Sequence, residues 1–323
     1  MIVTLTLNPS IDATLALAEP LHRGSVHRLQ TVTRVAGGKG INVSHAVHRA
    51  GHPTLAVFPS GERDLFSTLV GDINLPHHAL PIADSVRTNT TVTEPDGETT
   101  KFNGPGPTLS DAELRNLIQI LLRELEDAEW LVMAGSLPPG CPKDMYSQII
   151  TAVREAHPRV RIAVDTSDAA MVELGKNLGT ATPDLIKPNG MELGQLAGLN
   201  GHKAEDDAQH HQFSAVLDAA ATLLDKGLKD VLVTLGSSGA VLVNREGAWH
   251  AAPPPITVVS TVGAGDCSLA GFILARTQNL SSEQCLRQAV AYGSAATSLP
   301  GTSIPDPADL DLDRTRITPL PFD

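Results

Sequence analysis

The stretch Thr261-Val262-Gly263-Ala264-Gly265-Asp266 puts a carboxylate where the surrounding residues would favour an anion. Glycines at 263 and 265 lack the Cβ atoms that would hold a phosphate away from the backbone. The apolar, helix-like run Leu269–Leu274 follows, and a helix start offers unpaired N–H groups and a positive dipole end. An acidic side chain at such a place is useful if it takes a proton, so Asp266 reads as a base beside a transferring phosphoryl group. A glycine turn with aspartate as the helix N-cap is the plainer alternative. The run Val258-Val259 leading into the loop reads as β-like.

A second loop repeats the pattern near the start of the chain. Gly37-Gly38-Lys39-Gly40-Ile41-Asn42-Val43-Ser44 combines small residues and one cation ahead of an apolar helix. It is not a P-loop, which needs four residues between its glycines before Gly-Lys-Ser/Thr, and it lacks the third glycine of a dinucleotide fingerprint. Two glycine loops far apart in sequence fit one cleft that grips a ligand at both ends.

These loops need a scaffold. Strand-like runs recur at Ile2–Leu7, Leu55–Phe58, Trp130–Ala134, Ile162–Val164, Val231–Thr234 and Ala240–Val243. Helical patterns lie at Ile41–Arg49, Asp111–Glu126, Met145–Ala156, Phe213–Lys226 and Ala264–Thr277. Short apolar strands alternating with amphipathic helices predict an α/β fold with a doubly wound, mostly parallel sheet, binding ligands at the carboxyl ends of its strands. Residues 12–35 and 86–103 break the rhythm: they are threonine-rich, without helical period, and Glu94-Pro95-Asp96-Gly97 signals a hairpin turn. They predict a small sheet beside the core, within a single domain spanning 1–323.

Composition bounds the partners. A net charge of −12 argues against nucleic acid, so local cations must hold any anionic substrate. The three cysteines, at 141, 267 and 285, have neither disulfide-framework nor zinc-site spacing. No secretory signal or membrane span is read, which predicts a cytoplasmic protein. Residues 201–212, with His202, His210 and His211 near Asp206 and Asp207, read as a solvated connection in preference to a metal cluster. The tail from Pro300 reads as irregular surface chain.

Taken in order, the motifs resemble the PfkB (ribokinase-like) carbohydrate kinases, and within them the 1-phosphofructokinase and tagatose-6-phosphate kinase branch. The N-terminal signature fits from Gly37 through Asn42 and Ser44, then Gly51 and Gly61. The C-terminal signature fits from Ser260 through Gly265-Asp266 to Gly271-Phe272-Ile273, and the start Thr4–Asp12 resembles the sugar-phosphate branch. The similarity covers nearly the whole chain.

What the resemblance implies is an ATP- and magnesium-dependent kinase whose small sheet is a lid over the sugar site and often a dimer clasp, with an unmoving edge extension of the main sheet as the alternative. Its catalytic group is Asp266, with Gly263, Ala264 and Gly265 as the anion-stabilising loop. Sugar contacts fall to Asp12, Gly37, Gly38, Lys39 and Asn42. Selectivity for a phosphorylated sugar falls to Arg87, whose guanidinium fork matches phosphate, in the run Arg87-Thr88-Asn89. Asn103 and Ser136 lie in further stretches resembling the branch. Nucleotide contacts are expected from Lys187 and from Thr234, Gly236, Ser237 and Gly239, although a hairpin turn also explains that last loop. Asn189 and Glu192 resemble the family's magnesium-associated Asn-x-x-Glu motif, with Glu192 acting through water; a helix cap explains them equally well. The expected reaction phosphorylates fructose 1-phosphate, with tagatose 6-phosphate, fructose 6-phosphate, or an unphosphorylated sugar or nucleoside as rival substrates. A non-catalytic sugar-phosphate sensor is the rival of another class. One departure is Asp168, where the branch has glycine after Asp165-Thr166-Ser167.

Overall fold

A computed structural model describes residues 1–198 and 200–322. Its strands are β1 (Ile2–Leu5), β2 (Ser10–Leu17), β3 (Leu29–Gly37), β4 (Thr54–Gly61), β5 (His77–Ile82), β6 (Arg87–Thr93), β7 (Thr99–Asn103), β8 (Trp130–Ala134), β9 (Arg161–Asp165), β10 (Leu185–Ile186), β11 (Asp230–Thr234), β12 (Ala240–Asn244), β13 (Gly247–Ala252) and β14 (Arg316–Leu320). Ten of them form one sheet in the order β14-β13-β12-β11-β10-β9-β8-β1-β4-β5. From β5 to β11 the pairing is parallel, and β12, β13 and β14 add an antiparallel edge. This is a mostly parallel α/β sheet flanked by helices, as the alternation of strand and helix patterns predicts.

Strand periodicity divides the core into two layers. Leu131, Met133, Ile162, Val164, Val231 and Val233 face one cluster, which the helices Asp111–Glu124, Met145–Ala156 and Ser214–Asp225 cover. Trp130, Val132, Ala163 and Leu232 face the other, beneath Lys39–Arg49, Ala264–Thr277 and Ser282–Thr297. The helix Ala264–Thr277 is buried at every residue from Asp266 to Ala275, which explains why its sequence is apolar all round. It fixes the glycine loop to the centre of the molecule.

The two threonine-rich regions form the separate sheet β3-β2-β6-β7, with β2 and β6 parallel and hairpin-type antiparallel pairs at both edges. Three expectations need correction. The Val258-Val259 run is not a strand: Pro253, Pro254 and Pro255 supply no backbone donors, and both valines are largely exposed. Residues Gly201–Gln209 are a helix and not a loop, with Asn200 as N-cap and Ala204 and Ala208 buried one turn apart. The tail ends in β14, an edge strand on β13, where Pro319 is tolerated because the outer side needs no donor.

Asp168 keeps the left-handed backbone that glycine would adopt, at φ 55°, and opens the helix Asp168–Asn177. An L-residue is disfavoured there, so Asp168→Gly should raise unfolding free energy by about 1 kcal/mol, with activity unchanged at this exposed position. A denaturant midpoint shifted upward at constant slope checks this, and a downward shift rejects the strain.

Candidate active site

Asp266 is the third residue of its helix and does not cap it. Gly263 is the N-cap, at φ 80°, a left-handed conformation suited to glycine, and no side chain caps the helix. The first-turn N–H groups of Ala264, Gly265 and Asp266 are therefore available to an anion. The Asp266 carboxylate is buried and accepts a 2.7 Å hydrogen bond from Asn42 Nδ2. Asn42 lies on the helix Lys39–Arg49, so the two glycine loops meet at this bond.

Beneath them sits a charge cluster that sequence reading missed. Asp165, the fully buried last residue of β9, accepts from Lys39 Nζ at 2.8 Å and pairs with Lys187 Nζ at 3.0 Å. Burial alone would raise the Asp165 carboxyl, but Lys187 and Lys39 outweigh it and hold it below the usual carboxylate range. Burial would likewise lower Lys39, and Asp165, then Asp266 and Glu192, hold its ammonium well above its ordinary value. Asp266 moves the other way. Burial and the negative charge of Asp165 push it up to about 6, against Lys39, the Asn42 hydrogen bond and Lys187. That value suits a general base near neutral pH. The available signal for Asp165 was its position closing an apolar strand at the ligand-binding edge, with two lysines elsewhere needing a counter-charge.

Two cavities flank this centre. One, of about 610 Å³, is lined by Thr234, Gly236, Ser237, Gly239, Ala264 and Gly265 among others. Lys187 runs alongside: a Cβ on Gly265 would stand 3.2 Å from its Nζ. Asn189 also lines this cavity, bridged to Thr234. Asn189 and Glu192 form a capping box: the Asn189 side chain accepts from Glu192 N at 2.8 Å, and Asn189 N donates to Glu192 Oε2 at 2.9 Å. Glu192 is buried, and that burial raises its carboxyl above the ordinary value despite Lys39 nearby. Glu205, on the helix Gly201–Gln209, lines the same cavity and was not foreseen.

The other cavity, about 450 Å³, is lined by Asp12, Asn42, His45, Thr302 and segments of β3. Gly37 is needed here, because a Cβ on it would collide with the Asp12 carboxylate. Asp12 Oδ1 accepts from Ser10 Oγ at 2.7 Å and from Asn89 Nδ2 at 3.2 Å, and burial raises its carboxyl. Strand register sets Asp12 beside Asn89 and Asn89 beside Asn103, one polar row across the small sheet. Gly38 is the N-cap of the helix that carries Asn42.

Arg87 stands two residues before Asn89 on the same strand, near Asp12. Arg87 Nη1 donates to the Gly104 carbonyl at 3.3 Å, while its buried Nε has no partner. Asn8 donates to Ser136 Oγ at 3.2 Å and to the Pro105 carbonyl at 3.3 Å, a link that no motif advertised. The structure thus gathers Asp12, Arg87, Asn89 and Asn103 on the small sheet, and Asn8 ties Ser136 to the segment that follows β7. Lys39, read as a sugar contact, pairs with Asp165 at the centre.

A buried carboxylate with a raised proton affinity, on a helix start with open N–H groups and between one cavity beside a strand-end loop and another under a small sheet, is an arrangement that suits a phosphotransferase. The pfkB family carbohydrate kinase profile matches residues 5–309, and the chain belongs to that family. It is 32% identical to 1-phosphofructokinase of Escherichia coli K12, over 99% of this chain and 98% of that one. It is 34% identical to ATP-dependent 6-phosphofructokinase isozyme 2 of the same strain, over 94% of each. The structure of Escherichia coli phosphofructokinase-2 in complex with substrates and products superposes with a TM-score of 0.85 at 32% identity, covering 95% of this chain and 96% of that one. The protein is therefore a sugar kinase. No helix among the described residues is long and apolar enough to cross a membrane.

Proposed function

We propose that the chain is one kinase domain that transfers the γ-phosphoryl group of ATP to the 6-hydroxyl of fructose 1-phosphate in the cytoplasm. The observation that carries the reading is Asp266, held by Asn42 between the two cavities. ATP occupies the 610 Å³ cavity, with its phosphates on the N–H groups of Ala264, Gly265 and Asp266 and near Lys187. The sugar lies under the small sheet, with hydroxyls on Asp12 and its phosphate on Arg87. As the sugar oxygen bonds to phosphorus and the bond to the β–γ bridging oxygen breaks, Asp266 takes the hydroxyl proton. The helix N–H groups and lysines stabilise charge on the transferring group.

Kinases of this kind use a divalent cation, which we take to be Mg²⁺. Asn189 and Glu192 are oxygen donors suited to a hard cation, but each already serves the capping box, so they would hold it through water. When bound, the cation neutralises phosphate charge. Among the described residues no three histidine, cysteine or carboxylate side chains converge as a metal cage, so phosphates and water must supply most of its ligands.

Relatives named 1-phosphofructokinase, at 30–35% identity over nearly full length, favour fructose 1-phosphate. The similar match to a 6-phosphofructokinase keeps fructose 6-phosphate as the second reading. ATP consumption measured with fructose 1-phosphate, fructose 6-phosphate, tagatose 6-phosphate, ribose and adenosine decides between them. A kcat/KM highest for fructose 1-phosphate is expected, and no sugar-dependent ATP consumption would leave only a sensor.

The small sheet serves as lid and dimer surface in this reading. Its strand β3 is exposed almost throughout, and Leu29, Val32 and Phe102 present apolar side chains to solvent. Saturating sugar phosphate should slow hydrogen exchange across 86–102, and sedimentation at micromolar concentration should give a dimer. Unchanged protection rejects the lid, and a monomer rejects the pairing.

A further inference from the structure

We infer that His250 is a positioning residue for nucleotide binding: from within the core it holds the loop that lines the nucleotide cavity. The inference rests on the assignment of that cavity to ATP. His250 lies on β13, on the same inward face as Ala248, where strand alternation calls for an apolar side chain. It is 4% exposed, and its Nε2 lies 2.7 Å from the Ser238 carbonyl oxygen. A carbonyl only accepts, so Nε2 carries the hydrogen and donates. Burial lowers the imidazole's proton affinity, which keeps the ring in this neutral form.

Ser238 belongs to the short turn Gly236–Ser238, which follows β11 and contributes Gly236, Ser237 and Gly239 to the cavity wall. The turn's own bonds are few: Leu235 N to Gly239 O, Ser238 N to Leu235 O, and Gly239 N to Gly236 O. Gly236 and Gly239 both have positive φ, so the backbone there has alternatives unless something outside the turn selects one. Ser238 O is tied down by His250 alone among the described hydrogen bonds.

His250 is itself fixed. The Phe213 ring packs on it at a centroid distance of 4.5 Å, and His211 meets it edge-on at 6.1 Å. Phe213 precedes the helix Ser214–Asp225, and His211 follows the helix Gly201–Gln209, whose Glu205 lines the same cavity. The imidazole therefore joins two helix ends to the loop by one hydrogen bond and one ring face. An apolar residue of the same size would keep the packing and lose the loop.

The test compares His250→Leu with His250→Gln in the full-length protein. Leucine keeps the bulk and leaves the Ser238 carbonyl without its donor. Glutamine restores an N–H donor at similar reach. For His250→Leu the KM for ATP should rise about five- to tenfold, with kcat and the KM for the sugar phosphate within about twofold, and His250→Gln should recover most of the ATP affinity. A purely structural role would lower the apparent kcat through loss of folded protein and leave both KM values unchanged, a result that overturns the inference. Equal ATP affinity in all three proteins also overturns it. Photolabelling of the unmutated protein by 8-azido-ATP, mapped by mass spectrometry, separates the two assignments. Label on residues 234–265 without the KM split rejects His250 alone, whereas label confined to other regions rejects the cavity assignment and this inference with it.

Discussion

Asp266→Asn should lower turnover about 10²–10⁴-fold while nucleotide affinity stays near that of the unmutated enzyme. Asparagine keeps the size of the side chain and its contact with Asn42 but cannot take the hydroxyl proton. The N–H groups of Ala264 and Gly265, which hold the phosphates in our reading, belong to the backbone and survive the change. The variant should also be no less stable. The folded-state value of about 6 lies above the ordinary 3.8, so the native state binds this proton more tightly than the unfolded chain. Stability from this group is then fully present below about pH 3.8 and is lost as pH rises through about 6. At pH 7.5 the enzyme bears that cost and the asparagine variant does not. A melting temperature at or above that of the parent, together with collapsed turnover, is the expected pair of results. Turnover above half of the parent's would remove Asp266 from the chemistry.

The same displacement sets the acid limb of the pH profile. Below about pH 6 the base is protonated, and kcat/KM should fall by about tenfold per unit. Phosphate groups of the substrates titrate in the same range, so the position of the limb alone does not identify its source. Asn42→Ala distinguishes them. Its amide hydrogen bond lowers the Asp266 value, so removing it should move the limb to higher pH. A limb that stays in place belongs to the substrate.

Much of the scaffold was legible because its signals are local. The strands near residues 55, 130, 162, 231 and 240 and the helices Met145–Ala156 and Ala264–Thr277 declare themselves by apolar runs and periodicity. The small sheet declares itself by threonine and a Pro-Asp-Gly turn. What escaped depends on partners distant in sequence. β10 is two residues long and exists because β9 and β11 flank it. β14 is a strand only because β13 offers an edge, and the helix Gly201–Gln209 owes its place to two alanines that reach the core. The site divides in the same way. Asp266 could be read from its glycines, whereas Asp165 pairs with Lys39, 126 residues away, and with Lys187, and this cluster was invisible without the sheet.

Arg87→Ala should raise the KM for the sugar phosphate about 10- to 100-fold and leave that for ATP within about twofold, the cost of one charge-assisted phosphate contact. Arg87 is half-buried at the start of β6, in register with Ser10 and two residues before Asn89, which holds Asp12. Among the described residues only one of its nitrogens is engaged, with the Gly104 carbonyl, and the buried Nε has no partner. A buried guanidinium donor left open is costly unless a ligand completes it. Burial lowers the proton affinity of the group, with Asp12 opposing, so a dianionic phosphate arriving there would meet a cation that is under-compensated by the protein. Arg87→Lys keeps the charge but not the fork, and should recover only part of the loss. The comparison of substrates sharpens the test. Against an unphosphorylated ketohexose the alanine variant should differ little from the parent, because the missing contact is with the phosphate. If ATP affinity falls instead, Arg87 serves the nucleotide and not the sugar phosphate.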